Sequence, residues 1–180
     1  MKKILAFAGS NSKNSINKKL LNYVVGRMEN HEVKVLELND YEFPMFGVDH
    51  ENEKGYPADI QVLKMLIKEV DALVIAVNEH NRGPSAYFKN ITDWLSRMEL
   101  KFLQDKKVLL MSTSPGKRGA ASSLEYYKNV LLRFGAEVVE SFSLPSFNEN
   151  FDVENNKITD EILLLGLNDV VSNFEQELQE

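Results

Sequence analysis

Gly9-Ser10-Asn11-Ser12-Lys13-Asn14-Ser15-Ile16-Asn17 crowds small polar side chains and flexible backbone into one short stretch, directly after the apolar run Lys3 to Ala8. Chemistry of a definite kind follows from that layout. A loop of Gly, Ser and Asn that opens a helix presents free backbone N–H groups and the positive end of the helix dipole, and Ser10, Ser12, Ser15 and Asn17 add short side-chain donors. This is the layout of a phosphate cradle, with Lys13 as a nearby positive charge. It is not the dinucleotide fingerprint, because Gly9 is the only glycine before Gly26, and no Gly-Lys-Ser/Thr marks a nucleoside-triphosphate loop. The same residues also read as an ordinary strand-to-helix turn with Ser15 or Asn14 as N-cap.

Two further polar loops have the same character, Asn78-Glu79-His80-Asn81-Arg82-Gly83-Pro84 and Ser112-Thr113-Ser114-Pro115-Gly116-Lys117-Arg118-Gly119. No cysteine is present, and His31, His50 and His80 are scattered. Thiol nucleophiles, disulfides and cysteine-based metal centres are therefore excluded, no metal site is expected, and any redox chemistry must be carried by a bound cofactor.

The elements that position these loops alternate. Lys3 to Ala8 reads as a strand, and Ile16, Leu20, Leu21, Val24 and Val25 recur at helical spacing with Met28 extending the stripe. A second strand spans Val33 to Leu38, and a long connection follows from Asn39 to Pro57. Asp59 is placed to cap a helix carrying Ile60, Leu63, Leu66 and Ile67, and Ala72 to Val77 is a third strand, continuous in apolar character and so buried on both faces. Ser85 opens a helix with Phe88, Ile91, Trp94, Leu95 and Met98, and Val108 to Met111 is a fourth strand. A helix with Leu124, Tyr127, Val130, Leu131 and Phe134 ends at Gly135, Ala136 to Phe142 is a fifth strand, and Leu144 to Asn156 a loop. Ile158 to Leu178 reads as a terminal amphipathic helix.

Such alternation predicts one α/β domain over residues 1–180, a doubly wound five-stranded parallel sheet in the order 2-1-3-4-5 with helices on both faces. In that order the strands preceding the three polar loops are adjacent. The loops then converge on one crevice at the carboxyl ends of the strands.

With 180 residues, 43% hydrophobic and 27% charged, the composition suits one globular domain. A net charge of −6 without a basic cluster leaves no footprint for nucleic acid or an anionic membrane. No apolar run approaches the roughly 20 residues of a membrane span, and a cytoplasmic protein is expected.

At this point the chain resembles the NADPH-dependent FMN reductase family of flavodoxin-like proteins. The family's first loop, Gly-Ser-x-Arg-x-x-Ser-x-Asn, is matched by Gly9, Ser10, Ser15 and Asn17, with Ser12 at the place of the arginine. Its second, Pro-Glu-Tyr-Asn-Gly-Ser, is followed by Leu-Lys-Asn-Ala-Ile-Asp-Trp. Here the corresponding residues are Asn78 to Gly83 and then Phe88-Lys89-Asn90-Ile91-Thr92-Asp93-Trp94, with Asn78 and His80 replacing Pro and Tyr. The third loop, Ser114-Pro115-Gly116-Lys117-Arg118-Gly119, is similar to Ser-Pro-Gly-x-x-Gly.

The resemblance implies a flavodoxin-like fold and bound FMN. It places the phosphate on Ser10, Ser12, Lys13, Ser15, Ile16 and Asn17, with Asn78, Glu79, His80, Asn81, Arg82 and Gly83 bordering the ring on one side. Ser114, Pro115, Gly116 and Gly119 border it on the other, the glycines letting backbone approach a flat ring. NADPH or NADH would pass hydride to the flavin, and the flavin would reduce a small-molecule acceptor such as a quinone, azo compound or second flavin, with no catalytic side chain required. His80 reads equally as a flavin or substrate contact and as a solvated turn residue, and Trp94 as core. Phe43-Pro44-Met45-Phe46 reads as part of the interface of a homodimer or homotetramer, or as a loop folded over its own core. An electron carrier, or an interaction module that kept the fold without the cofactor, are the alternatives.

Overall fold

The structure, a computed structural model, describes residues 1–179. In chain order its elements begin with β1 (Lys3–Ala8), α1 (Ile16–Val25), β2 (Glu32–Leu36), α2 (Val48–Lys54) and α3 (Ala58–Lys68). They continue through β3 (Ala72–Val77), β4 (Glu79–His80), β5 (Gly83–Pro84), α4 (Ala86–Met98), β6 (Lys107–Thr113) and α5 (Ala121–Arg133). The last are β7 (Glu137–Leu144), α6 (Phe147–Asn150), β8 (Phe151–Asp152), β9 (Lys157–Ile158) and α7 (Glu161–Glu177).

The main sheet is parallel in the order β2-β1-β3-β6-β7, the expected topology with two small hairpins added. Register runs from Ile4↔Ala72 to Ala8↔Ala76 between β1 and β3, and from Ala72↔Lys107 to Val77↔Ser112 between β3 and β6. Alternation along each strand divides the core in two. Leu5, Phe7, Leu73, Ile75, Val108 and Leu110 face α3, α4 and α5, whereas Ile4, Ala6, Val74, Leu109 and Met111 face α1 and α7. Small Ala6, Ala8, Ala72 and Ala76 on the second face give α1 a close seat above the strands that carry the site.

Several boundaries differ from the sequence reading. Within the long connection, Leu38–Asp40 forms a 3-10 turn and α2 has no buried residue, so no apolar period marked it. Asp59 does not cap α3: Pro57 holds the cap position, and the Asp59 carboxylate accepts the Glu42 N–H at 2.6 Å. β6 continues through Ser112 and Thr113, which are buried. The segment after β7 folds into α6 and the β8/β9 hairpin, and α7 begins only after Asp160, whose side chain accepts the Leu163 N–H. Phe43 and Phe46 pack against the core, and Asn90 and the Trp94 Nε1–H both donate to the Pro44 carbonyl, at 3.0 and 2.7 Å.

Candidate functional site

At the carboxyl ends of β1, β3 and β6 lies an open crevice of about 300 Å3. The first loop contributes Ser10, Ser12, Ser15, Ile16 and Asn17, together with Asn11 and Asn14. The second contributes Asn78, Glu79 and His80, and the third Ser114 and Pro115 together with Thr113. Lys13, Asn81, Arg82, Gly83, Gly116 and Gly119 belong to the same three loops but lie outside the lining.

The shape of the first loop follows from a few bonds. Gly9 donates to Ala76 O at 2.8 Å and accepts from the Ser85 hydroxyl at 3.0 Å, while a Cβ on Gly9 would fall 2.5 Å from Phe88 Cγ. Only glycine lets the loop lie on α4 there. Ser85 in turn accepts the Phe88 N–H as N-cap of α4, so one hydroxyl links the first loop to the helix after the second. Ser15 caps α1 by accepting the Lys18 N–H at 3.2 Å, and Ser10 Oγ accepts the Ser12 N–H at 3.3 Å.

The N–H groups of Asn11, Lys13, Asn14, Ile16 and Asn17 have no acceptor among the described residues. Open N–H groups at a helix N-terminus suit an anion, and each capping hydroxyl that accepts one bond keeps its own proton to donate. The cap and the cradle are therefore compatible in the same residues.

Asn17 has a task the sequence did not disclose. Its Oδ1 accepts the Thr113 N–H at 2.9 Å and its Nδ2 donates to Thr113 O at 3.1 Å, clamping α1 to the end of β6. Thr113 was missed as a lining residue because the apolar run stops at Met111.

In the second loop β4 and β5 pair antiparallel around a two-residue turn, with Asn81 at φ 51° and Arg82 at φ 63°. Two positive φ angles in succession are those of a type I′ hairpin. Asn78 is nine-tenths buried, its Nδ2 lies 3.3 Å from His80 Nε2, and its Oδ1 has no partner. Glu79 accepts the Ser123 N–H at 3.0 Å, and the Ser123 hydroxyl donates to Asn78 O at 2.9 Å. Ala120, at the cap position of α5, has no capping side chain, so Glu79 supplies that cap from another element.

Within the third loop Gly119 has φ +56°, and its carbonyl accepts from Ser112 and Ser143 hydroxyls at 2.6 and 2.9 Å. A Cβ there would meet Ser143 Oγ at 2.2 Å and Leu144 backbone at 3.0 Å. Gly119 is thus required by packing on β7. Gly83 has no positive φ, and its Cβ would meet only His80 O at 3.8 Å. Gly119→Ala should cost about 1–3 kcal/mol, or roughly 2–12 °C in melting temperature, whereas Gly83→Ala should stay within about 0.5 kcal/mol. Equal melting temperatures for the two variants would contradict these backbone assignments.

No lysine or arginine lines the crevice. Lys18, on α1 beside the cap, is ion-paired with Glu37 across an adjoining hollow of about 180 Å3. Burial pushes the Glu37 carboxyl up, but Lys18 and the Asn39 N–H groups outweigh it and hold the carboxyl below its ordinary value.

A family model described as NADPH-dependent FMN reductase matches residues 2–149. A quinone reductase of Escherichia coli (strain K12) is 32% identical over 98 residues, 54% of this chain and 52% of that protein, so this chain spans about half the length of that relative. An NADPH:quinone oxidoreductase of Arabidopsis thaliana is 30% identical over 122 residues, 66% of this chain and 61% of that one. Among solved structures, FerB, a flavoenzyme NAD(P)H:(acceptor) oxidoreductase from Paracoccus denitrificans, superposes with a TM-score of 0.75 at 26% identity, covering 98% of each chain.

Proposed function

The chain belongs to the NADPH-dependent FMN reductase family, and from that premise we propose that it is an FMN-dependent oxidoreductase. NADPH or NADH serves as electron donor, and a quinone, azo compound or flavin as small-molecule acceptor. The observation that carries this reading is the union, in one crevice, of unpaired N–H groups at the α1 N-terminus with the polar walls of the second and third loops. A ligand that ends in a phosphate and carries a polar flat ring satisfies both.

FMN fits the residues present. Its phosphate would be held by the first-loop N–H groups with Ser10, Ser12 and Ser15, and its ring would lie between the second and third loops. When bound, the flavin supplies the two-electron chemistry. The chain's own residues bind and orient: Asn17 fixes the spacing between the first and third loops, Ser85 fixes the first loop on α4, and Glu79 ties the hairpin to α5.

The whole chain acts as one flavodoxin-like domain and works in the cytoplasm. Among the described residues no helix is long and apolar enough to cross a membrane. Met45 and Val48, exposed beside the packed Phe43 and Phe46, mark the contact of a homodimer or homotetramer.

FMN titration tests the reading. A ligand that binds only the folded state adds about 2.7 kcal/mol at 100 times its Kd, which for a domain of this size raises the melting temperature by roughly 5–11 °C. The protein should also reduce a quinone with NADPH or NADH once FMN is added. No thermal shift with FMN and no such turnover would refute the proposal.

A further inference from the structure

We propose that the mouth of the crevice is an electrostatic funnel, in which Lys13, Arg82, Lys117 and Arg118 form a cationic rim that draws in phosphate- or sulfonate-bearing small molecules ahead of neutral ones. The proposal rests on the reading of the crevice as an FMN site, and it adds the charge of the molecules that the site captures fastest.

The four cations are distributed over all three crevice loops. Lys13 stands between Ser12 and Asn14, Arg82 two residues beyond His80, and Lys117 and Arg118 directly after Pro115 and Gly116, so each is within three residues of the lining without belonging to it. All four are exposed, and among the described residues none is in an ion pair. Only Arg118 has a side-chain partner, the neutral Ser122 hydroxyl at 3.2 Å.

Opposing carboxylates are scarce on the same elements. Glu79 is the single acid of the three loops, and it is engaged by the Ser123 N–H. The loops therefore carry a net charge of +3 in a chain whose total is −6. The helices that these loops open, α1, α4 and α5, have no acid in their first turns, whereas α2, α3, α6 and α7 each have one or more. Their positive dipole ends are thus left uncompensated beside the rim. Further along, Asp93 of α4 is paired with Lys89, and Glu37 at the end of β2 with Lys18. Glu125 on α5 and Glu149 on α6 remain as the nearby acids without a cation.

Exposed charges of this kind act at range. A cleft bordered by one sign of charge raises the local concentration of the opposite ion and its rate of entry, and rim charges govern association and its salt dependence more than dissociation. A negatively charged body around a positive mouth adds direction, since an anion is repelled everywhere except at the crevice.

The test is the rate at which flavin-free protein takes up FMN and riboflavin, which differ by the phosphate, read by fluorescence quenching after rapid mixing. Between about 0.01 M and about 1 M salt the screening length falls from about 30 to about 3 Å. Over that range FMN uptake should slow about 10-fold, the low end of such steering, and riboflavin uptake should stay level. Lys117→Gln/Arg118→Gln removes two of the four cations and so about half of the attraction energy. It should slow FMN uptake about 3-fold at low salt while leaving FMN dissociation, riboflavin uptake and the melting temperature as they were. With FMN bound and NADPH in excess, kcat/KM for a sulfonated naphthoquinone should fall with salt and in the double variant, and that for the unsulfonated parent should not. Equal salt dependence for FMN and riboflavin, or a folded double variant that takes up FMN at the wild-type rate at low salt, would overturn the funnel. A loss confined to the FMN dissociation rate would also overturn it, by making these side chains direct phosphate contacts. Failure of the wild type to bind either flavin would overturn the FMN-site reading itself, and the funnel with it.

Discussion

Asn17→Ala should unfold at a temperature well below the wild type and bind FMN more weakly. The side chain makes both of its hydrogen bonds to one backbone unit, Thr113, which is itself buried. Truncation leaves an N–H and a carbonyl unpaired, at about 1–3 kcal/mol each. Thr113 borders the crevice, so water can approach it, and the total should fall in the lower part of the combined range, about 2–4 kcal/mol. That corresponds to roughly 4–16 °C. Affinity falls with stability because the amide sets the spacing between the cradle and the third loop. An Asn17→Ala protein with an unchanged melting temperature and weakened FMN binding would mean that Asn17 is a ligand contact and not a brace.

Trp94→Ala should be the most damaging single truncation in the segment around the long connection. Trp94 is fully buried on α4, its ring is edge-on to Phe46, His50 and Tyr56 at centroid distances of 5.0, 5.4 and 6.5 Å, and its Nε1–H holds Pro44 O. Large aromatic truncations of this kind cost about 3–5 kcal/mol, or roughly 6–20 °C here. Asn90 still reaches Pro44 O, so the carbonyl is not orphaned and the loss is one of packing. Limited proteolysis should cut the variant between Phe43 and Tyr56 sooner than the wild type. A loss under about 1 kcal/mol would show that this region is covered in some other way.

How much of this was legible in the sequence depends on range. The order of strands and the first loop were readable because apolar runs and Gly/Ser/Asn punctuation are local signals. The Asn17–Thr113 clamp spans 96 positions and leaves no local trace. In the second loop the positive φ angles fall on Asn81 and Arg82 and not on the glycine, because His80 pairs with Gly83. Gly119 reads as a point of close approach to a ring, and nothing local in the sequence shows that its Cβ space is filled by β7. The helix Val48–Lys54 escaped because it buries nothing, and the β8/β9 hairpin because strands of two residues carry no period.

The division of the core into two faces bears on how the protein is made. Ile4, Ala6 and Ala8 of the first strand share their cluster with Leu167, Val171 and Phe174 of α7. A ribosome delivers these two partners far apart in time. Until α7 emerges, one side of the sheet is only partly covered, while the opposite side can already close over α3, α4 and α5. Contacts so distant along the chain are slow to form and leave nascent apolar surface open to association. The crevice loops can therefore be assembled on a half-clad sheet before the molecule has the stability to hold them, and an early-arriving ligand would act as a folding partner for the newborn chain.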